Sequence, residues 1–154
     1  MKARLDNHLA RAPAAIRAMM ALEAPLEASC MVPGLFEIIK LRASQINGCA
    51  YCIHLHATTL RQSGESDMRL YLLDAWREAP HYTARERAAL AWTETLTRLS
   101  ETAVDEAEYE ILEAAFTEAE QVHLTLAIGA INAWNRLQVG FAVPPPLPEA
   151  SYDA

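Results

Sequence analysis

EIIKLRASQINGCAYCIHLH, the stretch from Glu37 to His56, contains two helical patterns separated by Asn47 and Gly48. In the first pattern, Ile and Leu would lie on several sides of a helix rather than along one narrow apolar face. This distribution predicts a helix that is buried on much of its circumference. The second pattern begins at Cys49, so a C-x-x-C motif lies in the opening turn of a helix. The cysteine motif is therefore the first candidate for a functional site.

Helical patterns also fill the sequence on both sides of this stretch. Ala, Leu, Glu and Arg dominate, and no alternating run rich in Val, Ile and Thr is present, which predicts an all-α bundle of about six to seven helices. Capping-box spacing of Thr83 with Glu86, and of Thr117 with Glu120, predicts where two of them begin. The predicted helices span residues 13–28, 33–46, 49–63, 66–78, 83–99, 105–115 and 117–140. Pro25 is expected to bend or split the first of them.

The length and composition of the chain predict a single domain with a short tail. With 154 residues, 52% of them apolar, the chain can fill one hydrophobic core. We assign residues 1–142 to one helical domain and residues 143–154 to a proline-rich C-terminal tail, because four prolines between 144 and 148 exclude a helix there.

Charge and hydropathy restrict the classes of partner. Thirteen basic and twenty acidic residues give a net charge of -7, which disfavours nucleic acids and anionic membrane surfaces as partners. No apolar run approaches the roughly 20 residues that a membrane span needs. Charged residues also interrupt any signal-peptide core in the first 29 residues. We therefore expect a cytoplasmic protein that acts on a neutral or small-molecule substrate.

Cys49, Cys52 and His56 occupy positions i, i+3 and i+7 of the predicted helix, so two sulfurs and an imidazole share one face. The unpaired N–H groups and the dipole at a helix N-terminus favour a thiolate, the nucleophilic form of cysteine. His56 can hold the proton that Cys52 releases. His54 points to another side of the same helix and ranks below His56 as a site residue.

A larger pattern includes this face: Glu37, eleven residues, C-x-x-C, three residues, then His56. It resembles the alkylhydroperoxidase AhpD-like branch of the carboxymuconolactone decarboxylase superfamily. The likeness continues through RLYLLDAWRE, from Arg69 to Glu78, and ERAALAWTE, from Glu86 to Glu94. It covers most of the chain between about residues 13 and 140.

The resemblance implies an antioxidant thiol peroxidase that needs no cofactor or metal and assembles as a trimer or hexamer. Cys52 would attack hydrogen peroxide or an organic hydroperoxide, and Cys49 would resolve the sulfenic acid as a disulfide. Glu37 and His56 would form the proton relay. The implied reductant is a dithiol carrier such as a lipoylated protein. Tyr51 stands where some members carry a histidine, so a relay through that position is not expected.

Other interpretations of the same residues remain open. The cysteine pair also suits a general disulfide reductase, a redox sensor without turnover, or a zinc site that includes His54 or His56 and needs a fourth ligand from elsewhere. Glu37 also fits a solvated helix position, and His56 fits a core position bonded to a backbone carbonyl.

Four further residues are assigned to the core. Cys30 stands alone in a predicted turn, as a small buried apolar residue. Trp76, Trp92 and Trp134 lie in apolar helical patterns and are predicted to pack in the core rather than to bind a ligand.

Overall fold

The computed structural model describes residues 2–29, 32 and 34–146, and α-helices account for most of them. The helices are α1 (Pro13–Ser29), α2 (Leu35–Ile46), α3 (Ala50–Gln62), α4 (Asp67–Tyr71), α5 (Ala84–Thr97), α6 (Glu106–Ala115) and α7 (Glu118–Gly140). Short 3-10 turns occupy His8–Arg11 and Leu73–Ala75. These ranges contain no strand, which confirms the predicted all-α class. The predictions for Cys30, Pro33 and residues 147–154 lie outside the described residues.

Both predicted capping boxes are formed. The Thr83 hydroxyl accepts a hydrogen bond from the Glu86 backbone N–H, and the Glu86 carboxylate accepts one from the Thr83 backbone N–H at 2.7 Å. Thr117 and Glu120 repeat the arrangement at the start of α7. Each pair satisfies two N–H groups that have no partner inside the helix, which explains why the two beginnings are readable from sequence.

The predicted helix over residues 66–78 is wrong. α4 ends at Tyr71, and the chain then tightens into the 3-10 turn Leu73–Ala75. The Trp76 indole N–H donates to Glu94 on α5 at 2.9 Å, and Leu73 is buried. These contacts with α5 and the core outweigh the local helix propensity of the segment.

Pro25 was predicted to bend or split the first helix, and a split is wrong, since α1 continues to Ser29. A proline removes one N–H from the helix, but the turn that follows buries Leu26 in the core. That burial keeps the last turn of α1 in place.

α2 lies at the centre of the bundle and packs against α3, α5 and α7. Its residue Ile39 belongs to one hydrophobic cluster, shared with α5, α6 and α7, whereas Ile38 and Leu41 belong to a second, shared with α3 and the segment around Trp76. Core surrounds α2 on two sides, which confirms the prediction of a helix buried on much of its circumference. In the described ranges, no helix combines the length and apolar character that crossing a bilayer requires.

Candidate active site

The turn between α2 and α3 places the cysteine motif. Gly48 has a φ of 64°, a left-handed conformation that glycine adopts without a steric penalty. Cys49 then donates its backbone N–H to the Ser44 carbonyl at 3.0 Å. The Asn47 side-chain amide donates to Asn135 at 2.8 Å, and so ties the turn to α7. The first residues of α3 are therefore fixed relative to both α2 and α7.

Cys49 and Cys52 are joined by a disulfide, with their Cα atoms 5.3 Å apart. Cys49 is the N-cap of α3, where its sulfur accepts a hydrogen bond from the Cys52 backbone N–H at 3.3 Å. Both residues are buried, with exposed fractions of 1% for Cys49 and 3% for Cys52. The predicted position of the pair at the opening turn of a helix is thus observed.

Glu37 and His56 meet across the interface between α2 and α3. His56 Nδ1 lies 2.7 Å from Glu37 Oε2, and the imidazole is buried. This contact engages Nδ1 and leaves Nε2 for a group in the adjoining cavity. Glu37 therefore does not occupy a solvated helix position, and His56 is bonded to a carboxylate rather than to a backbone carbonyl. His54 is exposed on the opposite side of α3.

A cavity of about 390 Å³ opens beside these residues. Cys52 and His56 contribute to its wall, whereas Cys49 does not. The apolar part of the wall comes from α1, α3, α7 and the first 3-10 turn, through Leu9, Met20, Tyr51, Leu55, Ile131 and Trp134. The cavity therefore gives a small molecule access to one of the two sulfurs and to the imidazole.

The polar part of the wall contains residues that the sequence did not reveal: Glu23, Lys40 and Gln138. Lys40 Nζ lies 2.7 Å from Glu23 Oε2, and the Trp134 indole N–H donates to Glu23 Oε1 at 2.8 Å. Trp134 was predicted to be core, but it lines the cavity. The sequence did contain one indication that Lys40 lies near the site: it follows Glu37 by three residues and is therefore on the same side of α2.

In the described part of the chain, no three His, Cys, Asp or Glu side chains lie close enough together to hold a metal ion. His56, one of the two histidines considered for a zinc site, is paired with Glu37.

An all-α bundle that presents a cysteine pair at a helix N-terminus, beside a buried His–Glu pair, defines a dithiol protein of AhpD-like architecture. The chain belongs to the carboxymuconolactone decarboxylase family, whose sequence pattern matches residues 13–95. The resemblance inferred from the motif is thereby confirmed.

Individual relatives extend the match over most of the chain. The uncharacterized protein YdfG of Bacillus subtilis (strain 168) is 37% identical over 128 residues, which cover 83% of this chain and 87% of the relative. A solved protein of unknown function from Agrobacterium tumefaciens, provisionally named as the antioxidant defence protein AhpD, is 42% identical with a TM-score of 0.89. That match covers 95% of this chain and 99% of the other.

More distant solved structures share the fold. An uncharacterized peroxidase-related protein from a Silicibacter species is 27% identical, with a TM-score of 0.75 over 85% of this chain and 70% of the other. The debrominase Bmp8 is 18% identical, with a TM-score of 0.76 over 90% and 74% of the two chains, a likeness of fold alone. Proteins that share this fold thus include a debrominase as well as a peroxidase-related protein.

Proposed function

We propose that this protein is a thiol peroxidase that reduces hydrogen peroxide or an organic hydroperoxide through a Cys49/Cys52 dithiol–disulfide cycle. The observation that carries the proposal is the cavity in which Cys52 and His56 face the same space, with Glu37 bonded to the far side of the imidazole. The provisional antioxidant name of the Agrobacterium relative, 42% identical, agrees with it.

The cycle has two steps on the protein. The Cys52 thiolate attacks one peroxide oxygen; an S–O bond forms as the O–O bond breaks, and His56 gives a proton to the leaving oxygen. The Cys49 thiol then gives up its proton and attacks the sulfenic sulfur of Cys52; the S–S bond forms as the S–O bond breaks, and the leaving hydroxide takes up that proton as water. A dithiol carrier, for which a lipoylated protein is our candidate, returns two electrons and two protons by thiol–disulfide exchange.

The geometry supports these separate roles for the two cysteines. Cys52 lines the cavity, so it is the sulfur that a peroxide can meet, whereas Cys49 is buried and is not part of the cavity wall. Glu37 holds the imidazole in place through its contact with Nδ1. Tyr51 borders the cavity in place of the histidine found in some relatives, and the relay proposed here does not use it.

We also propose that the chain forms a homo-oligomer, a trimer or a hexamer, through a surface we name the α1–α7 face. It consists of Leu22, Val122, Leu126, Gly129 and Ala133. Val122 and Leu126 are exposed although they are large and apolar. Two adjoining hollows of about 290 and 330 Å³ share Leu126, so a second copy has a surface of matching apolar chemistry to pack against.

The first test compares wild type with Cys52→Ser, Cys49→Ser and the control Cys30→Ser. Peroxide consumption is measured with dihydrolipoamide as reductant, and thiols are read by mass spectrometry after one equivalent of peroxide. We expect both motif variants to lose turnover, by at least about a hundredfold, while the control retains it. Cys49→Ser should stop as a sulfenic acid on Cys52 that dimedone traps.

Other outcomes separate the competing functions. A disulfide reductase would turn over small disulfides and leave peroxide unchanged. A redox sensor would oxidise once and would not be reduced catalytically by the dithiol. If wild type leaves peroxide intact and forms no Cys49–Cys52 disulfide, the peroxidase proposal is wrong.

A further inference from the structure

Lys40 is a buried cation on the wall of the cavity beside Cys52. Only 8% of Lys40 is exposed, and it lines the cavity together with Cys52 and His56. Lysine is rarely buried, because moving an ammonium group out of water is costly unless an opposite charge accompanies it. Here Glu23 supplies that charge, with its Oε2 2.7 Å from Lys40 Nζ. Apolar residues of similar size can often replace a buried ion pair without loss of stability. Stability alone therefore does not explain why the cavity wall contains this pair.

Neighbouring side chains hold the Lys40 ammonium group in a defined position. In the described chain, Nζ donates one hydrogen bond, to Glu23, and lies 4.3 Å from the centre of the Phe36 ring in a cation–π contact. Glu23 is itself fixed from the other side, since the Trp134 indole N–H donates to its Oε1 at 2.8 Å. An ammonium group has three N–H donors. Both carboxylate oxygens of Glu23 are thus engaged, whereas Lys40 retains donor capacity on the cavity wall.

The titratable groups of the cavity wall come from three helices. α1 contributes Glu23, α2 contributes Lys40, and α3 contributes His56 and Tyr51 beside the cysteine. Glu37 lies behind His56, on the Nδ1 side of its ring. The wall residues of α7 and of the first 3-10 turn are uncharged. Within the described wall, Lys40 is the one Lys or Arg, and partly buried charges of this kind are screened by salt much less than exposed ones.

We infer that Lys40 stabilises the thiolate of Cys52, and that Glu23 and Trp134 position its ammonium group for this role. A cation near a cysteine favours the thiolate, which is the nucleophilic form. Glu23 has the opposite effect, since its negative charge disfavours a second anion nearby. The inference deepens the proposed function, on which it rests for the reaction that the thiolate performs. Proton transfer remains with His56.

Alkylation of Cys52 measures its thiolate without any peroxide. The parent protein carries Cys49→Ser, so that no disulfide closes, and mass spectrometry follows the rate of iodoacetamide addition to Cys52 as a function of pH. In Lys40→Met, the midpoint of this pH profile should rise by about one unit. Lys40→Arg restores the charge and should recover most of that shift. Arg61→Gln removes an exposed positive charge further along the same helix and should leave the midpoint unchanged.

Glu23→Gln separates an electrostatic role from a structural one. This variant breaks the same ion pair but leaves the positive charge of Lys40 in place. The midpoint should therefore fall, in the direction opposite to that of Lys40→Met. An ion pair that only held helices together would not give shifts of opposite sign. An unchanged midpoint in Lys40→Met, or a rise in Glu23→Gln, would overturn the inference.

The double variant Glu23→Gln/Lys40→Met guards against a single variant that fails to fold, because it leaves neither charge of the pair without its partner. Its midpoint should stay above that of the Cys49→Ser parent, and a midpoint at or below the parent would count against Lys40. Opposite shifts together with failed peroxide consumption would reject the peroxidase and keep the assignment of Lys40. Peroxide consumption without those shifts would reject that assignment alone.

Discussion

At the scale of the residue, the bond between Glu37 and His56 fixes the position of the imidazole. The two side chains lie 2.7 Å apart although they are separated by 19 positions in the chain. A carboxylate at Nδ1 fixes the orientation of the ring and leaves Nε2 on the side of the cavity. In the proposed cycle, this arrangement would couple a carboxylate on α2 to the chemistry of a sulfur on α3.

Replacing Glu37 by Gln tests this coupling. Glu37→Gln keeps a hydrogen-bonding side chain but removes the charge, so we expect the second-order rate constant for peroxide to fall at least about tenfold. Removing the imidazole itself in His56→Asn should cost about 10²–10⁴-fold. Stopped-flow reaction of the reduced protein with peroxide measures both. Glu27→Gln, an exposed change on α1, is the control, and equal rates in Glu37→Gln and wild type would contradict the relay.

At the scale of the element, one buried carboxylate connects α5 with α2 and with the irregular segment after α4. Glu94 accepts from Arg42 at 2.7 Å, from the Trp76 indole at 2.9 Å and from Arg77 at 2.5 Å. Burial by itself raises the pKa of Glu94, but the hydrogen bonds from Arg77 and Trp76 and the charge of Arg42 outweigh it and hold that pKa below its ordinary value. The network joins three segments that lie far apart in sequence.

Glu94→Gln should be strongly destabilising. It leaves Arg42 buried without its main counter-charge, and breaking a buried pair on one side costs about 3–5 kcal/mol. Urea denaturation followed by circular dichroism gives the change in the free energy of unfolding. Glu101→Gln, at an exposed position after α5, should stay within about 0.5 kcal/mol of wild type. A similarly small change at Glu94 would show that the network contributes specificity rather than stability.

At the scale of the whole molecule, the same carboxylate predicts how stability depends on pH. The folded-state pKa of Glu94 lies below the ordinary value of 4.5, and so does that of Glu86, because the hydrogen bonds from Arg69 and Thr83 and the charge of Arg69 together outweigh the opposing effect of burial. The unfolded chain therefore binds protons first as the pH falls. The stability that these groups contribute is present above about pH 5 and is lost progressively below it. Thermal unfolding between pH 7 and pH 3 should show this loss, and Glu94→Gln should show a smaller pH dependence.

Assembly also belongs to this scale. Leu126, 45% exposed, lies where the two hollows of the α1–α7 face meet. Leu126→Glu should convert the proposed oligomer to monomers, because a buried carboxylate without a partner is incompatible with an apolar interface. Sedimentation velocity measures the change. Leu99→Glu, exposed beyond the end of α5, is the matched control and should leave assembly intact. A wild-type chain that sediments as a monomer would refute the proposed interface.

The sequence by itself determined which segments are helical and where most of them begin and end. Capping boxes, the glycine and asparagine between α2 and α3, and the spread of apolar residues on α2 are local signals, because helix ends and helix faces depend on residues three or four positions apart. The shared face of Cys49, Cys52 and His56 follows from the same periodicity. The pairing of Glu37 with His56 was predicted only from the family pattern, because no local sequence signal connects positions 37 and 56.

Only the tertiary structure decided which side chains share a space. The contact between Glu23 and Trp134 spans 111 positions, and the segment 66–78 leaves the helical path because Trp76 reaches Glu94. The cavity around Cys52 likewise depends on how α1, α3 and α7 cross. The physical reason is that helix packing is set by the fit of whole side-chain surfaces, and no short stretch of sequence contains that fit.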